Sequence, residues 1–277
     1  MWRNCHTPEL GRIQAIHAQY SKEVEKAAQD FGDHEGMKEG KILRWISNFS
    51  DENLDLAVKV LREIRYYSSH NIWSMTRNLA NIVGLEFASI PWNRVIFVPI
   101  GGPYSGSATL ARVLRDTRMV SKKNIKYMAE LEKMSSAQLG ALVFIDDFSG
   151  TGDSLKEWWV NIEPIVLPKN VPFALGLLVL NYRARAVIED FIDRIYSIDE
   201  LRETDNVFFE YSKQFSSKEK SMLLRYCEST RCSDEYVRGY GACGLLLAFK
   251  HGCPNDALPI LWHESATWQP LFKRRTT

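Results

Sequence analysis

The residues whose types and spacing could carry chemistry lie between positions 146 and 154. Two aspartates, Asp146 and Asp147, directly follow the apolar run Leu142–Ile145. Adjacent carboxylates repel each other, so such a pair is suited to a divalent cation or to the donor-rich diol of a sugar. A stretch rich in glycine and hydroxyl groups comes next, and its residues are Ser149, Gly150, Thr151, Gly152, Asp153 and Ser154.

This stretch has the composition of an anion-binding turn. Gly150 and Gly152 permit positive backbone φ angles and the close approach of a ligand. The next amides begin a helix, and the first amides of a helix lack partners within it. Thr151 and Ser154 add hydroxyl donors. Because each charge-assisted hydrogen bond contributes roughly 1.5–3 kcal/mol, a few of them can hold a phosphate without a lysine. A phosphate loop beside acids that bind a diol predicts a ribose 5-phosphate site.

Buried strands must position this loop. Short apolar runs of the kind that forms strands buried on both faces occur three times, at Val95–Ile100, Ala141–Ile145 and Phe173–Leu180. Turns follow the first two runs over residues 101–106 and 146–152, and helices are expected up to residue 115, from residue 154 and over 184–194. Repeated strand, turn and helix predict an α/β domain with a parallel sheet and crossover helices, whose ligands bind at the carboxyl ends of the strands.

The first third of the chain has helical periodicity instead. Apolar residues recur every three to four positions over residues 8–31, 42–49, 54–67 and 69–83. We therefore expect an all-helical N-terminal region over residues 1–90 and an α/β domain over residues 91–277. In the tail, a helix is expected near residues 218–226 and strands near 244–249 and 258–262.

Composition excludes some classes of function. The formal net charge of the 277 residues is +1, so binding to nucleic acid would need a local basic patch. No apolar run reaches the ~18 residues of a membrane span, and no apolar signal region follows the start, so we expect a cytoplasmic protein without a membrane partner. The five cysteines match no zinc template, and reduced thiols are the simpler interpretation.

The segment 142–154 resembles the signature of type I phosphoribosyltransferases, in which four hydrophobic residues and two acids precede a loop rich in threonine and glycine. The resemblance implies that Asp146 and Asp147 are catalytic, contact the ribose hydroxyls of phosphoribosyl pyrophosphate and hold Mg²⁺, directly or through ligand or water. The 5-phosphate is then expected at residues 149–154. Pyrophosphate and Mg²⁺ are expected at the loop after the first sheet strand, which comprises Gly101, Gly102, Pro103, Tyr104, Ser105 and Gly106.

About residues 41–272 resemble one branch of this superfamily, the phosphoribosyltransferase-like proteins of bacterial conflict and antiphage systems, including some retron operons. This resemblance rests on Trp45–Phe49, Pro99–Gly102, Phe144–Gly152, Cys253–Trp262 and Trp268–Phe272. It implies a defence effector that binds phosphoribosyl pyrophosphate or a nucleotide and forms a complex with a reverse transcriptase, its nucleic-acid product or a DNA-binding partner. Transfer or N-glycosidic cleavage at the ribose anomeric carbon is one expectation, and a catalytically inactive sensor or scaffold is the other. Oligomerisation stays open.

Some residues keep two interpretations. Asp153 weakens phosphate binding if its carboxylate faces the anion, and it is harmless if it points to solvent or caps the helix. Residues 116–140 show no catalytic-loop pattern, and Lys122, Lys123 and Lys126 are either pyrophosphate contacts or a solvated face. The acids could also merely end a strand, and residues 101–106 could be a simple turn.

The aromatic tail also has two interpretations. Trp262, His263, Trp268 and Phe272 form either a hood that stacks a base above the ribose or part of the core.

Overall fold

The protein was analysed as a computed structural model that describes residues 7–102 and 105–274, with side chains described from residue 10 onward. The chain divides into two compact units. One combines Met1–Ser69 with Glu203–Thr276, and the other comprises His70–Arg202. This division differs from the predicted boundary at residue 90, because the C-terminal segment folds together with the N-terminal helices and the fourth helix folds with the sheet.

The elements are numbered in chain order. The helices are α1 (Thr7–Asp30), α2 (Glu39–Ile46), α3 (Leu54–Glu63), α4 (Ser69–Glu86), α5 (Gly106–Asp116), α6 (Met128–Lys133), α7 (Asp153–Val166), α8 (Tyr182–Ile188), α9 (Ser217–Ser229) and α10 (Pro259–Trp262). The strands are β1 (Arg65–Tyr67), β2 (Val95–Pro99), β3 (Ala141–Ser149), β4 (Phe173–Asn181), β5 (Ile195–Leu201) and β6 (Leu247–Phe249).

The unit formed by residues 70–202 contains a parallel sheet with strand order β2-β3-β4-β5. Helices α5, α7 and α8 lie between successive strands in the chain, as crossover connections of a parallel sheet require. Strands β2 and β3 and most of β4 are buried, which explains their unbroken apolar runs. The predicted α/β fold with a parallel sheet, preceded by a helical region, is confirmed.

Strand β3 is longer than the sequence predicted. Its pairing with β4 continues through Asp146↔Leu177 to Ser149↔Leu180. The predicted turn over residues 146–152 is therefore wrong in its first half, and the true turn occupies residues 150–152. Polar residues at 146, 147 and 149 hid this extension, because an apolar run was the only strand signal. The apolar partner strand β4 provides the ladder that extends it.

The unit formed by residues 1–69 and 203–276 has its own core. The Trp45 side chain is fully buried, and its Nε1 donates to the Ile260 carbonyl at 2.7 Å. Trp262, Trp268 and Phe272 belong to the same apolar cluster and are at most 3% exposed. Core packing is therefore the correct interpretation of these tail aromatics, and no open hood is formed by them.

Three local predictions were wrong. The helix expected over residues 54–67 ends at Glu63, and the β-branched and aromatic residues that follow form β1, which pairs in parallel with β6. The strand expected over residues 258–262 is helix α10, which Pro259 begins. The helix expected over residues 184–194 ends at Ile188, and the mixed-polarity edge strand β5 follows. Segment 116–140, which showed no pattern, contains α6.

Among the described residues, no helix is both long enough and apolar enough to span a bilayer.

Candidate functional site

The candidate residues lie at the carboxyl edge of the parallel sheet. Strands β2, β3 and β4 run in the same direction, so the segments that follow Pro99, Ser149 and Asn181 leave the sheet at one edge. Hydrogen bonding to β3 continues one residue beyond the end of β2, because the Ile100 amide donates to the Ile145 carbonyl at 3.0 Å. This is the edge at which parallel α/β sheets bind their ligands.

The two aspartates lie within β3 and not in a turn. Successive residues of a strand point to opposite faces of the sheet, so the carboxylates are separated and do not form the side-by-side pair that the sequence suggested. Asp147 is almost fully buried, at 1% exposure, whereas Asp146 is half-buried. Asp146 Oδ1 accepts a hydrogen bond from the Asp147 amide at 2.9 Å, which fixes the position of the Asp146 carboxylate near the strand end.

Gly152 makes the turn between β3 and α7 possible. Its φ of +86° lies in the left-handed region. A Cβ at this position would lie 3.0 Å from Val187 Cβ and 3.2 Å from the Ala184 carbonyl oxygen, both of which belong to α8. The turn is thus packed against α8, and only glycine satisfies both its backbone angle and this close contact.

The first turn of α7 presents unbonded amides. The Asp153 amide donates weakly to Thr151 Oγ1 at 3.4 Å, and the first amide with a helical acceptor is that of Lys156. Within residues 7–102 and 105–274, the amides of Thr151, Ser154 and Leu155 donate to no protein acceptor. The side chains of Asp153 and Ser154 are exposed, so solvent reaches this turn. Free amides at the positive end of a helix are the arrangement that proteins commonly use to bind anions.

The loop after β2 is shaped by its capping serine. Gly101 has a φ of +87°, and Ser105 caps α5 by accepting from the Ala108 amide at 3.4 Å. The Ser105 hydroxyl also donates to the Gly102 carbonyl at 2.6 Å. The structure therefore places Gly101, Gly102 and Ser105 at the carboxyl edge in a loop that is stabilised from within.

The other candidate pyrophosphate contacts are Pro103, Tyr104 and Gly106 of this loop and three lysines of segment 116–140. Pro103 and Tyr104 lie outside the described residues, and Gly106 is the first residue of α5. Lys126, which the sequence left as a candidate pyrophosphate contact, forms an ion pair with Glu130 at 3.1 Å. Lys122 and Lys123 are exposed in a short 3₁₀ turn. These lysines fit a solvated surface better than a preformed pyrophosphate site.

One residue of the edge was missed by the sequence analysis. Asn181 ends β4 and caps α8, because its Oδ1 accepts from the Arg183 amide at 3.2 Å. Its side chain is buried, at 1% exposure. Asparagine directly before a helix is a recognisable capping signal. Asn181 therefore fixes the start of the helix against which Gly152 packs.

The possible metal ligands are few. No group of three or more His, Cys, Asp or Glu side chains that could hold a metal occurs in the part of the chain that the structure describes. Mg²⁺ commonly uses one or two carboxylates and takes its other ligands from phosphates and water. Asp146 and Asp147 point to opposite faces of the sheet, so only one of them can be a direct ligand of a given cation, and a bound ligand would have to supply most of the oxygens.

The four cysteines of the described ranges show no sign of activation and belong to no group that could hold a metal. Cys227, Cys243 and Cys253 are buried, Cys232 is half-buried, and none of the four forms a disulfide. Burial raises the pKa of the Cys227 and Cys253 thiols well above the ordinary value, so both stay protonated.

Comparison with known proteins identifies the family. The family model described as PRTase-CE matches residues 42–274. The chain belongs to the PRTase-CE family. This match covers most of the chain and includes both the acid-containing strand and the phosphate-type loop. The match therefore confirms the prediction that the chain belongs to the phosphoribosyltransferase superfamily.

Similar solved structures are weaker matches. The Helicobacter pylori xanthine-guanine-hypoxanthine phosphoribosyltransferase is 14% identical and has a TM-score of 0.34, with coverage of 50% of this chain and 84% of that chain. HGPRT-ase from Leishmania tarentolae in complex with GMP is 11% identical, with a TM-score of 0.35 and coverage of 55% and 90%. A hypothetical protein from Neisseria gonorrhoeae with bound ppGpp is 12% identical, with a TM-score of 0.36 and coverage of 50% and 85%. No curated protein matches the chain.

Proposed function

We propose that this PRTase-CE protein binds the ribose 5-phosphate group of phosphoribosyl pyrophosphate or of a nucleotide at the β3–α7 turn. The observation that carries this proposal is the set of unbonded amides at Thr151, Ser154 and Leu155. Ser154 and Leu155 belong to the first turn of the 14-residue helix α7 and Thr151 directly precedes its cap, so the helix dipole favours an anion beside all three. The phosphate accepts these hydrogen bonds together with those of the Thr151 and Ser154 hydroxyls.

The aspartates have separate roles in this proposal. Asp146, half-buried near the strand end, accepts hydrogen bonds from the ribose hydroxyls. Asp147, on the opposite face and buried, contributes negative charge that orients the ligand or its cation. Mg²⁺ would be held by Asp146 with the ligand's own oxygens, while Asp147 would act on it only through its charge, and the ion would neutralise the charge of a leaving pyrophosphate. The protein itself fixes the sugar and excludes water from its buried side.

The reaction, if the protein is an enzyme, occurs at the ribose anomeric carbon. The bond between this carbon and the pyrophosphate oxygen breaks, and pyrophosphate leaves with the electron pair. A nitrogen of an acceptor base, or water in a hydrolysis, then bonds to the carbon and loses one proton. The same balance applies to N-glycosidic cleavage of a nucleotide, where the protonated base leaves and water adds. Electrostatic stabilisation by the loop and the acids is the main catalytic contribution.

A second candidate is a catalytically inactive nucleotide sensor or scaffold. It is favoured by the exposed carboxylate of Asp153 inside the phosphate turn and by the separation of Asp146 and Asp147 on opposite faces. Both features weaken the arrangement that an efficient transferase needs, while the free amides still bind a phosphate.

One experiment separates the two candidates. Calorimetry measures binding of phosphoribosyl pyrophosphate with Mg²⁺, and release of pyrophosphate measures turnover. The variants are Asp146→Asn and Asp147→Asn, and Asp190→Asn, an exposed acid beyond the end of α8, is the control. Turnover lost in the first two variants alone supports the enzyme. Binding without turnover supports the sensor, and absence of binding by the wild type contradicts both.

The biological role that we propose is that of an effector in a retron-type antiphage system. It is supported by the resemblance of residues 41–272 to that branch. Copurification from the native host tests it: a reverse transcriptase, its nucleic-acid product or a DNA-binding partner is expected with the protein. Purification of the protein without any of these contradicts the proposed role and leaves phosphate binding untouched.

A further inference from the structure

A groove that does not involve the β3–α7 turn lies entirely within the unit formed by residues 1–69 and 203–276. It has a volume of about 1170 Å³ and runs beside helix α9. Met222 and Tyr226 on α9 form part of its lining, together with Asn48 and Asn53 from the segment between α2 and α3. This volume exceeds the roughly 300–1,000 Å³ of ordinary small-molecule sites, so the groove is large enough for a chain segment.

The cations on this groove are not neutralised. Lys218, Arg225 and Arg231 line it and are exposed, and none of their side chains forms an ion pair or hydrogen bond with any residue in the described ranges. Other charges in the lining are already compensated: Arg12 pairs with Asp51 at 2.8 Å, and Glu219 pairs with Lys59 at 2.8 Å.

Only Glu52 among the remaining lining residues carries a negative charge. Three uncompensated cations against one carboxylate leave an excess of two positive charges. The whole chain has a net charge of only +1, so this groove is a local basic patch on a nearly neutral protein.

The spacing of the cations matches an extended acidic peptide. Lys218 and Arg225 are seven residues apart on α9, which corresponds to roughly 10 Å along the helix axis. In the extended polyproline II conformation, which has three residues per turn, acidic side chains at every third residue lie on one face and are roughly 9 Å apart, at about 3.1 Å per residue. Met222 lies between the two cations, is half-buried and offers an adaptable apolar contact.

The floor of the groove favours a peptide over nucleic acid. Proteins that bind single strands stack bases on exposed aromatic rings. Here Phe49 and Trp268 are at most 2% exposed, and they pack against Tyr226 with ring centroids 4.4 and 6.2 Å from its own. The Tyr226 hydroxyl is also used, because it bonds to Ser50 at 3.1 Å and accepts from Asn53 at 3.0 Å. Two of the three rings in this lining are therefore closed to a base, and the third, Tyr226, is only partly exposed and packed against both.

We infer that the α9 groove binds an acidic, partly apolar segment of a partner protein. The inference is independent of the phosphate site and does not rest on it. The partner segment is extended, with carboxylates placed against Lys218, Arg225 and Arg231 and an apolar side chain against Met222. Rim charges of this kind mainly set association rate and specificity, so binding depends strongly on salt.

Fluorescence anisotropy on the full chain tests this inference. The probe is a fluorescein-labelled peptide of about nine residues, long enough to extend along the groove at roughly 3.1 Å per residue, with aspartate at every third position and leucine between. A second peptide has asparagine in place of each aspartate, and a labelled oligothymidylate of similar length is the third probe.

The variant Lys218→Gln/Arg225→Gln is compared with Lys22→Gln/Lys213→Gln, which removes two exposed lysines of the same unit outside the groove. The first double variant is expected to weaken binding of the acidic peptide about tenfold, since each exposed pair contributes a factor of up to roughly five. The control variant is expected to bind as the wild type does.

Three results would overturn the inference. Equal loss in both double variants would show a general charge effect. Equal affinity for the asparagine peptide would show that the cations do not recognise the carboxylates of the peptide. Tighter binding of the oligothymidylate through the same residues would show that the groove recognises phosphates.

Discussion

Replacement of Asp153 by asparagine is expected to strengthen phosphate binding. Asp153 is the first residue of α7, directly before the free amides of Ser154 and Leu155. A phosphate on those amides lies roughly 6 Å from the carboxylate, where each pair of unit charges repels by about 0.7 kcal/mol in water. A dianion doubles this to about 1.4 kcal/mol, which is a factor of about ten in Kd.

The same substitution has the opposite effect on folding. An acid in the first turn stabilises a helix through its dipole by roughly 0.3–1 kcal/mol at exposed positions. Asp153→Asn therefore lowers the free energy of unfolding slightly while it raises affinity. A gain in phosphate affinity together with a loss of stability distinguishes a local electrostatic effect from a general stabilisation of the protein.

Calorimetry with ribose 5-phosphate at low and high salt measures the effect. The matched control is Glu157→Gln, one helical turn and roughly 6 Å further along α7, where salt screens most of the repulsion. A clear gain in affinity is expected for Asp153→Asn alone, and it should shrink at high salt. Unchanged or weaker binding by Asp153→Asn, or an equal gain in the control, would refute the reasoning.

Three further predictions concern the turn and the core. Gly152→Ala adopts a left-handed angle at a cost of roughly 1–2 kcal/mol and meets α8, so phosphate binding should be lost and the urea midpoint lowered; wild-type binding by this variant would contradict the turn geometry. Phe272→Ala should lower the free energy of unfolding by roughly 3–5 kcal/mol in urea titrations, because Phe272 is fully buried; a change below about 1 kcal/mol would contradict its place in the core. Buried His34 accepts from the Lys273 amide at 3.3 Å, and burial, followed by the nearby charge of Lys41, lowers its pKa. Because the folded pKa lies below the ordinary value of about 6.5, its contribution to stability is complete above that pH and is lost as the pH falls through the folded pKa; urea midpoints should fall more steeply there than in His34→Gln.

The sequence predicted the sheet because its strands are apolar on both faces. The apolar runs of β2, β3 and β4 are buried, and short continuous apolar runs of this kind are typical of strands in a parallel sheet that is covered on both faces. The extent of β3 was not predictable, because residues 146–149 gain their strand conformation from β4. Strand β1 was missed for a similar reason: its partner β6 lies 180 residues further along the chain.

The site was predicted in composition better than in arrangement. The glycine at 152 and the free helix amides follow from local sequence rules, and the structure has both. The relation of Asp146 to Asp147 depends on whether they lie in a turn or in a strand, and no local pattern decides that. The contact of Gly152 with α8 is tertiary, so a single sequence contains no signal for it.

The most direct test of the account is an amide NMR titration with ribose 5-phosphate, using ribose as the control. A phosphate site at the start of α7 predicts saturable shifts that are largest at the amides of Thr151, Ser154 and Leu155, and no such shifts with ribose alone. Shifts concentrated elsewhere, or equal shifts with both compounds, would contradict a phosphate site at the start of α7.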